Sequence, residues 1–156
     1  MRLTRFTDNA LRALLYLALE PDDTPTVGAV ARKMGMSEDH LLKVVQRLSQ
    51  LGYVKTIRGR NGGMRLAQSP ESIVVGEVIR RTEDNMALVP CFDPTESICP
   101  VAPACGLAPA LDEALKAFLA ALDRYTVADL ITKRRELRQL VDMPETELAA
   151  PAGASS

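Results

Sequence analysis

The sequence predicts a mainly α-helical chain carrying one small β-hairpin and, after it, a long helix that packs on a partner. Three observations carry this. Apolar residues recur at helical spacing through much of residues 9–51. Residues 53–66 read as two short strands around a glycine-rich tip. Leu111, Leu115, Phe118, Leu122 and Tyr125 step by four and three, which is a heptad seam. The composition agrees. The chain is 47% hydrophobic but only 4% aromatic, with no Trp, so its core is built from Leu, Val, Ile, Ala and Met. Its 156 residues are about one domain. That is enough to bury a core without help from disulfides or metal.

In chain order, Ala10, Leu11, Leu14, Leu15 and Ala18 mark a first helix over Asn9–Leu19, with Thr7 and Asp8 in its first turn or cap. Residues 21–25, Pro-Asp-Asp-Thr-Pro, form a loop. A short helix over Val27–Lys33 follows, capped by Thr26. Met34-Gly35-Met36 is a turn, and Ser37 caps a longer helix to about Leu51. The apolar face of that helix is Leu41, Leu42, Val44, Val45 and Leu48. Gly52 ends it. Tyr53–Arg58 and Met64–Leu66 are the hairpin strands, and Val75–Thr82 is a further short helix. Residues 83–108 hold four prolines and all three cysteines and cannot form a regular helix. The seam predicts a long helix over Pro109–Thr132, within a dimerisation segment 109–135. The Ala/Pro/Ser-rich tail 144–156 reads as disordered.

The net charge of −1 hides an asymmetry. Residues 1–69 hold 11 Lys/Arg against 6 Asp/Glu, and residues 70–156 hold 8 against 14. A basic half joined to an acidic half points to a nucleic-acid face on the first part alone. The apolar run Leu11–Leu19 is too short to span a bilayer, and Arg12 interrupts it. With no signal peptide in view, a cytoplasmic protein without membrane association is expected. Three cysteines are an odd number, which argues against a disulfide framework in such a compartment. No nucleophile–base pair is evident, and Gly59–Gly63 lacks a phosphate-loop pattern, so an enzyme is not expected.

Helix, glycine-containing turn, capped helix and basic hairpin follow the order of a winged helix-turn-helix, here over residues 1–82. The second helix of such a unit enters the major groove. Ser37, Asp39, His40 and Lys43, nearest its start, are the candidates for base contacts in double-stranded DNA. Arg47, Lys55, Arg58 and Arg60 are placed to meet phosphates, with Asn61 and Arg65 beside them at the wing.

Cys91, Cys99 and Cys105 are spaced C-x7-C-x5-C among Pro90, Pro94, Pro100 and Pro103. Thiolates favour zinc, copper(I) or iron–sulfur clusters. Structural zinc sites usually show tight cysteine pairs or a histidine partner, and neither is present. Wide spacing suits a larger object such as a cluster, and three free thiols remain the plain alternative. Three thiolates leave a cubane one ligand short. Asp93 and Glu96 are donors within the loop, and an acid from elsewhere is another. Asp8 by itself needs no role beyond favourable charge at a helix N-terminus.

Taken together these residues resemble the NsrR family, the nitric-oxide-sensing iron–sulfur repressors among the winged-helix regulators that also include IscR. The matching segments are Met1–Leu14, Met36–Leu41, the wing Val54–Leu66, Cys99–Cys105 and Tyr125–Leu130, and the likeness covers about residues 1–135. It implies a homodimer built on the long helix and a 4Fe-4S cluster in each protomer, with 2Fe-2S as the alternative. Cys91, Cys99 and Cys105 would be ligands from one chain and Asp8 the fourth, from the partner chain. It also implies repression at palindromic promoters, with nitrosylation releasing the DNA. IscR carries a histidine three residues after its third cysteine, where this chain has Ala108. Relatives that hold 2Fe-2S with Glu and His from the first helix differ from the Asp8 and Arg12 found here. The gap from Cys91 to Cys99 is longer than the family pattern. A regulator of iron–sulfur, iron or redox status on the same scaffold is the alternative function.

Overall fold

The computed structural model describes residues 2–59, 62–93 and 99–142. Helix α1 runs Arg5–Leu19, α2 Val27–Lys33 and α3 Glu38–Gln50. Strands β1 (Val54–Ile57) and β2 (Gly63–Leu66) form an antiparallel pair in the register Val54↔Leu66 to Ile57↔Gly63. Helices α4 (Val75–Thr82), α5 (Leu107–Leu122), α6 (Val127–Leu130) and α7 (Arg134–Asp142) follow. Single 3-10 turns lie at Pro70–Ser72, Pro90–Phe92 and Ala102–Ala104.

The winged helix-turn-helix is present, and local signals explain most of its edges. Helix α1 starts four residues earlier than expected because Thr4 caps it, its hydroxyl accepting from the Thr7 N–H at 3.2 Å. Thr7 and Asp8 therefore stand inside the first turn, and Thr7 is fully buried. Thr26 caps α2 as expected. The turn into α3 closes as a Schellman motif. Gly35, at φ 60°, donates to the Arg32 carbonyl, and Met36 donates to the Ala31 carbonyl at 2.8 Å. The left-handed backbone at that position is what glycine supplies. The same closure at Gly52 uses the Tyr53 N–H, so β1 begins at Val54 rather than Tyr53.

Helix α1 is the centre of the core, packed by α3, α4, α6 and the hairpin. Ala10, Leu14, Leu41, Val44, Leu48, Met64, Ile73 and Val78 are among its fully buried side chains. Leu42 departs from expectation: it is 57% exposed, and α3 buries Leu41, Val44, Val45 and Leu48 instead.

The expected helix over 109–132 is broken. Helix α5 ends at Leu122 because the next residues are held by α4. Asp123 is gripped by both amino groups of Arg80, at 2.7 and 2.6 Å, and Val75 N–H donates to the Tyr125 carbonyl. Thr126 and Asp129 then form a capping box that starts α6. Tyr125 is thus off the helical seam. Helix α7, not foreseen, folds back on α1. Arg134 donates to the Ala18 and Leu19 carbonyls, Arg138 donates to Leu19, and Leu137 and Val141 pack against the core. Among the described residues no helix is long and apolar enough to cross a membrane. Arg60, Asn61, Glu96 and the tail 144–156 lie outside the described residues.

Candidate DNA interface and thiolate loop

Four apolar anchors, Leu41, Val44, Val45 and Leu48, fix α3 so that Asp39, Lys43, Gln46 and Gln50 face outward and are exposed. Ser37 is exposed at the N-cap and makes no side-chain capping bond. Arg47 is exposed but turned aside, donating to the Arg81 carbonyl at 3.3 Å. His40 is only half exposed. Its ring stands edge-on to Phe6 with centroids 6.0 Å apart, and its Nε2 is buried without a hydrogen-bond partner. On the wing, Lys55 and Arg65 are exposed and directly opposed across the strands. Like charges in that position repel unless an anion lies over them. Arg58 is exposed just beyond β1.

Asp8 opens onto the same side of the molecule. A hollow of about 440 Å³ between α1 and the start of α3 is lined by Arg5, Asp8, Arg12, Met36, Ser37 and His40. The Asp8 side chain is 58% exposed, and Arg12 stands 3.7 Å away on the next turn. The other amino group of Arg12 donates to the Met34 carbonyl, the residue that ends α2. One link therefore runs from Asp8 to the turn before α3. Beneath it, Thr7 donates to the Thr82 hydroxyl at 3.0 Å, which donates to the Val78 carbonyl at 2.8 Å. Glu83, the next residue, accepts from the Thr4 N–H at 2.8 Å. The start of α1 is thereby fastened to the point where the cysteine segment leaves α4.

All three cysteines are free, Cys91 exposed and Cys99 and Cys105 half-buried. Cys91 sits in the Pro90–Phe92 turn. Ala102 N–H donates to the Cys99 carbonyl at 3.1 Å, and Cys105 N–H donates to the Ala102 carbonyl at 3.4 Å, winding these two cysteines onto successive turns. Asp93, a donor considered within the loop, accepts from Asn85. Among the described residues no group of three His, Cys, Asp or Glu is gathered closely enough to hold a metal ion. The donor set nonetheless fits an iron–sulfur cluster in kind: three unpaired, partly accessible thiols on one proline-broken segment. A shallow apolar hollow of about 570 Å³, lined by Met86, Phe92 and Leu115 among others, lies between this segment and α5.

The Rrf2 family, described as an iron-dependent transcriptional regulator, matches residues 3–133. The chain belongs to the Rrf2 family. It is 47% identical over 146 residues to the HTH-type transcriptional regulator NsrR of Bacillus subtilis, covering 93% of this chain and all of that protein. It is 49% identical to the NsrR of Geobacillus kaustophilus over 142 residues, covering 90% of this chain and 97% of that protein. Among solved structures it is similar to CymR, the global cysteine regulator of B. subtilis, with a TM-score of 0.68 at 25% identity, covering 85% and 98% of the two chains. IscR of T. potens matches in fold, with a TM-score of 0.68 at 22% identity over 96% and 97%. As an Rrf2 member the chain is a DNA-binding transcriptional regulator, not an enzyme.

Proposed function

We propose that the chain is a homodimeric repressor that senses nitric oxide through an iron–sulfur cluster and lets go of palindromic promoter DNA when nitric oxide reacts there. The observation that carries this reading is the Asp8–Arg12–Met34 link, which joins an exposed carboxylate to the turn that positions α3. The 45–49% identity to several NsrR proteins supports nitric oxide as the signal.

Cys91, Cys99 and Cys105 would hold the cluster, with Asp8 of the partner chain as the fourth donor. A 4Fe-4S cluster, when bound, supplies iron with which nitric oxide reacts. A carboxylate is a hard, exchangeable donor beside three soft thiolates, so Asp8 would be the ligand most readily given up. Asp8 engaged as a ligand would leave Arg12 held by the Met34 carbonyl alone, and Asp8 set free would add an ion pair on the other amino group of Arg12. The turn before α3 feels the difference. Half-sites lie about one helical turn apart, so a small drift of α3 in each protomer costs both contacts at once.

A dimer is supported by α5. No residue on it is fully buried, and Leu111, Leu115, Phe118 and Leu122 remain half-covered along one stripe. On the DNA side, Ser37, Asp39, His40 and Lys43 would meet bases, with Arg47, Lys55, Arg58, Arg60 and Asn61 at the backbone.

The description of the family as iron-dependent favours a second reading, a regulator of iron or redox status. Comparing nitric oxide with an iron chelator and with oxygen separates the two. Anaerobically purified protein is expected to carry iron and sulfide, to lose both in Cys91→Ser, Cys99→Ser or Cys105→Ser, and to leave DNA with nitric oxide before half its iron is lost. Release that tracks iron loss alike under all three treatments would favour the second reading, and protein without iron or sulfide would refute both.

A further inference from the structure

Leu42 is a large aliphatic side chain, 57% exposed on a helix whose other outward residues are polar. It is the fifth of the thirteen residues of α3, three after Glu38's neighbour Asp39 and four before Gln46. At 100° per residue it lies on the edge of the outward face formed by Asp39, Lys43, Gln46 and Gln50. It contributes nothing to the core, which α3 serves through Leu41, Val44, Val45 and Leu48.

Two occupants could cover it. A second protein chain is disfavoured by the surroundings, because Glu38, Asp39, Lys43 and Gln46 are all exposed around it. A lone apolar residue among charges is unlike the centre of a protein interface, which is depleted in charge. The major groove is the better match. The amino-terminal half of such a helix is the part that meets base edges. The groove offers hydrogen-bonding groups and one apolar feature, the C5-methyl of thymine.

We infer that Leu42 is a specificity-determining residue that reads a thymine methyl in each half-site. The inference rests on α3 being the helix that enters the major groove. It adds shape and methyl recognition to the hydrogen bonds and charges of Asp39, Lys43 and Gln46.

The test is a methyl scan. The operator is first selected from random duplexes with the cluster-loaded full-length protein. Each thymine is then replaced by deoxyuracil, symmetrically in both half-sites, which removes the methyl and nothing else. Anisotropy is expected to show one symmetric position where wild type weakens by about fourfold per methyl, the equivalent of ~0.8 kcal/mol for one buried carbon. Leu42→Ala is expected to bind thymine and deoxyuracil duplexes equally at that position, and Leu42→Met to keep the preference. Indifference of wild type to every replacement would overturn the inference while leaving DNA binding intact. Retention of the thymine preference by Leu42→Ala would overturn it too, since another residue would then read the methyl. Loss of the dimer in Leu42→Ala, seen by light scattering, would place Leu42 between subunits and also refute it. Failure to select any duplex would refute the DNA-reading role of α3 itself.

Discussion

Arg12 stands 3.7 Å from Asp8 on the next turn of α1, and its second amino group donates to the Met34 carbonyl. This places a single guanidinium between the proposed partner-chain cluster ligand and the turn that aims α3. Coupling between linked sites commonly amounts to about 5–150-fold in affinity. In Asp8→Ala, cluster is expected to remain in part, while the ratio of DNA affinities before and after nitric oxide shrinks several-fold. Arg12→Ala is expected to shrink the same ratio without reducing iron content. Anisotropy paired with iron analysis checks both, and an unchanged ratio in either variant would count against the link.

The buried hydroxyl pair Thr7–Thr82 holds the start of α1 to the end of α4, with Thr7 fully buried and Thr82 only 4% exposed. Thr7→Val keeps the shape and removes the donor. A loss of about 1 kcal/mol in unfolding free energy is expected, the typical net worth of one such bond. Equilibrium urea unfolding measures it. A value near zero would mean that the pair is not formed in solution.

The elements set by local chemistry were legible before the structure, and those set by distant partners were not. Thr26, the Gly35 turn and Gly52 announce α2 and α3 because capping and left-handed backbone are properties of a few adjacent residues. The end of α5 is different. Asp123 stops the helix because Arg80, 43 residues earlier, grips it, and no periodicity carries that contact. Leu42 was misread because an apolar residue at the edge of a stripe looks like core until its neighbours are placed. His40 reads as a candidate for base contact, yet its ring packs edge-on to Phe6 and its Nε2 is buried. Helix α7 is polar overall and shows itself only once Arg134 and Arg138 meet the carbonyl end of α1. For the sites, cysteine spacing and charge nominate candidate residues, and the structure adds that Asp8 is tied to the helix-turn-helix through Arg12.

The Arg80–Asp123 pair predicts an acid response. Two hydrogen bonds from Arg80 hold the Asp123 carboxyl below its ordinary range, and bonds from Thr126 do the same for Asp129. A carboxyl depressed in the folded state stabilises the fold above its unfolded pKa. That contribution fades as pH falls through the folded value. Stability is therefore expected to rise with pH across the region just below the ordinary carboxylate range, about 4. Asp123→Asn is expected to flatten this part of the profile and to lower the neutral-pH Tm slightly, as suits an exposed pair. Thermal melts from pH 3 to 7 read the slope, and an identical profile for the variant would contradict the assignment.

The central claim is that nitric oxide acts on this protein as a signal that releases DNA. Its most direct test is the anisotropy of a labelled duplex from the protein's own promoter region, bound by anaerobically purified protein, while nitric oxide is titrated in. The account predicts brown protein that binds tightly and lets go after a few nitric oxide molecules per cluster. Tight binding that ignores nitric oxide, or binding by the colourless cluster-free form alone, would contradict it.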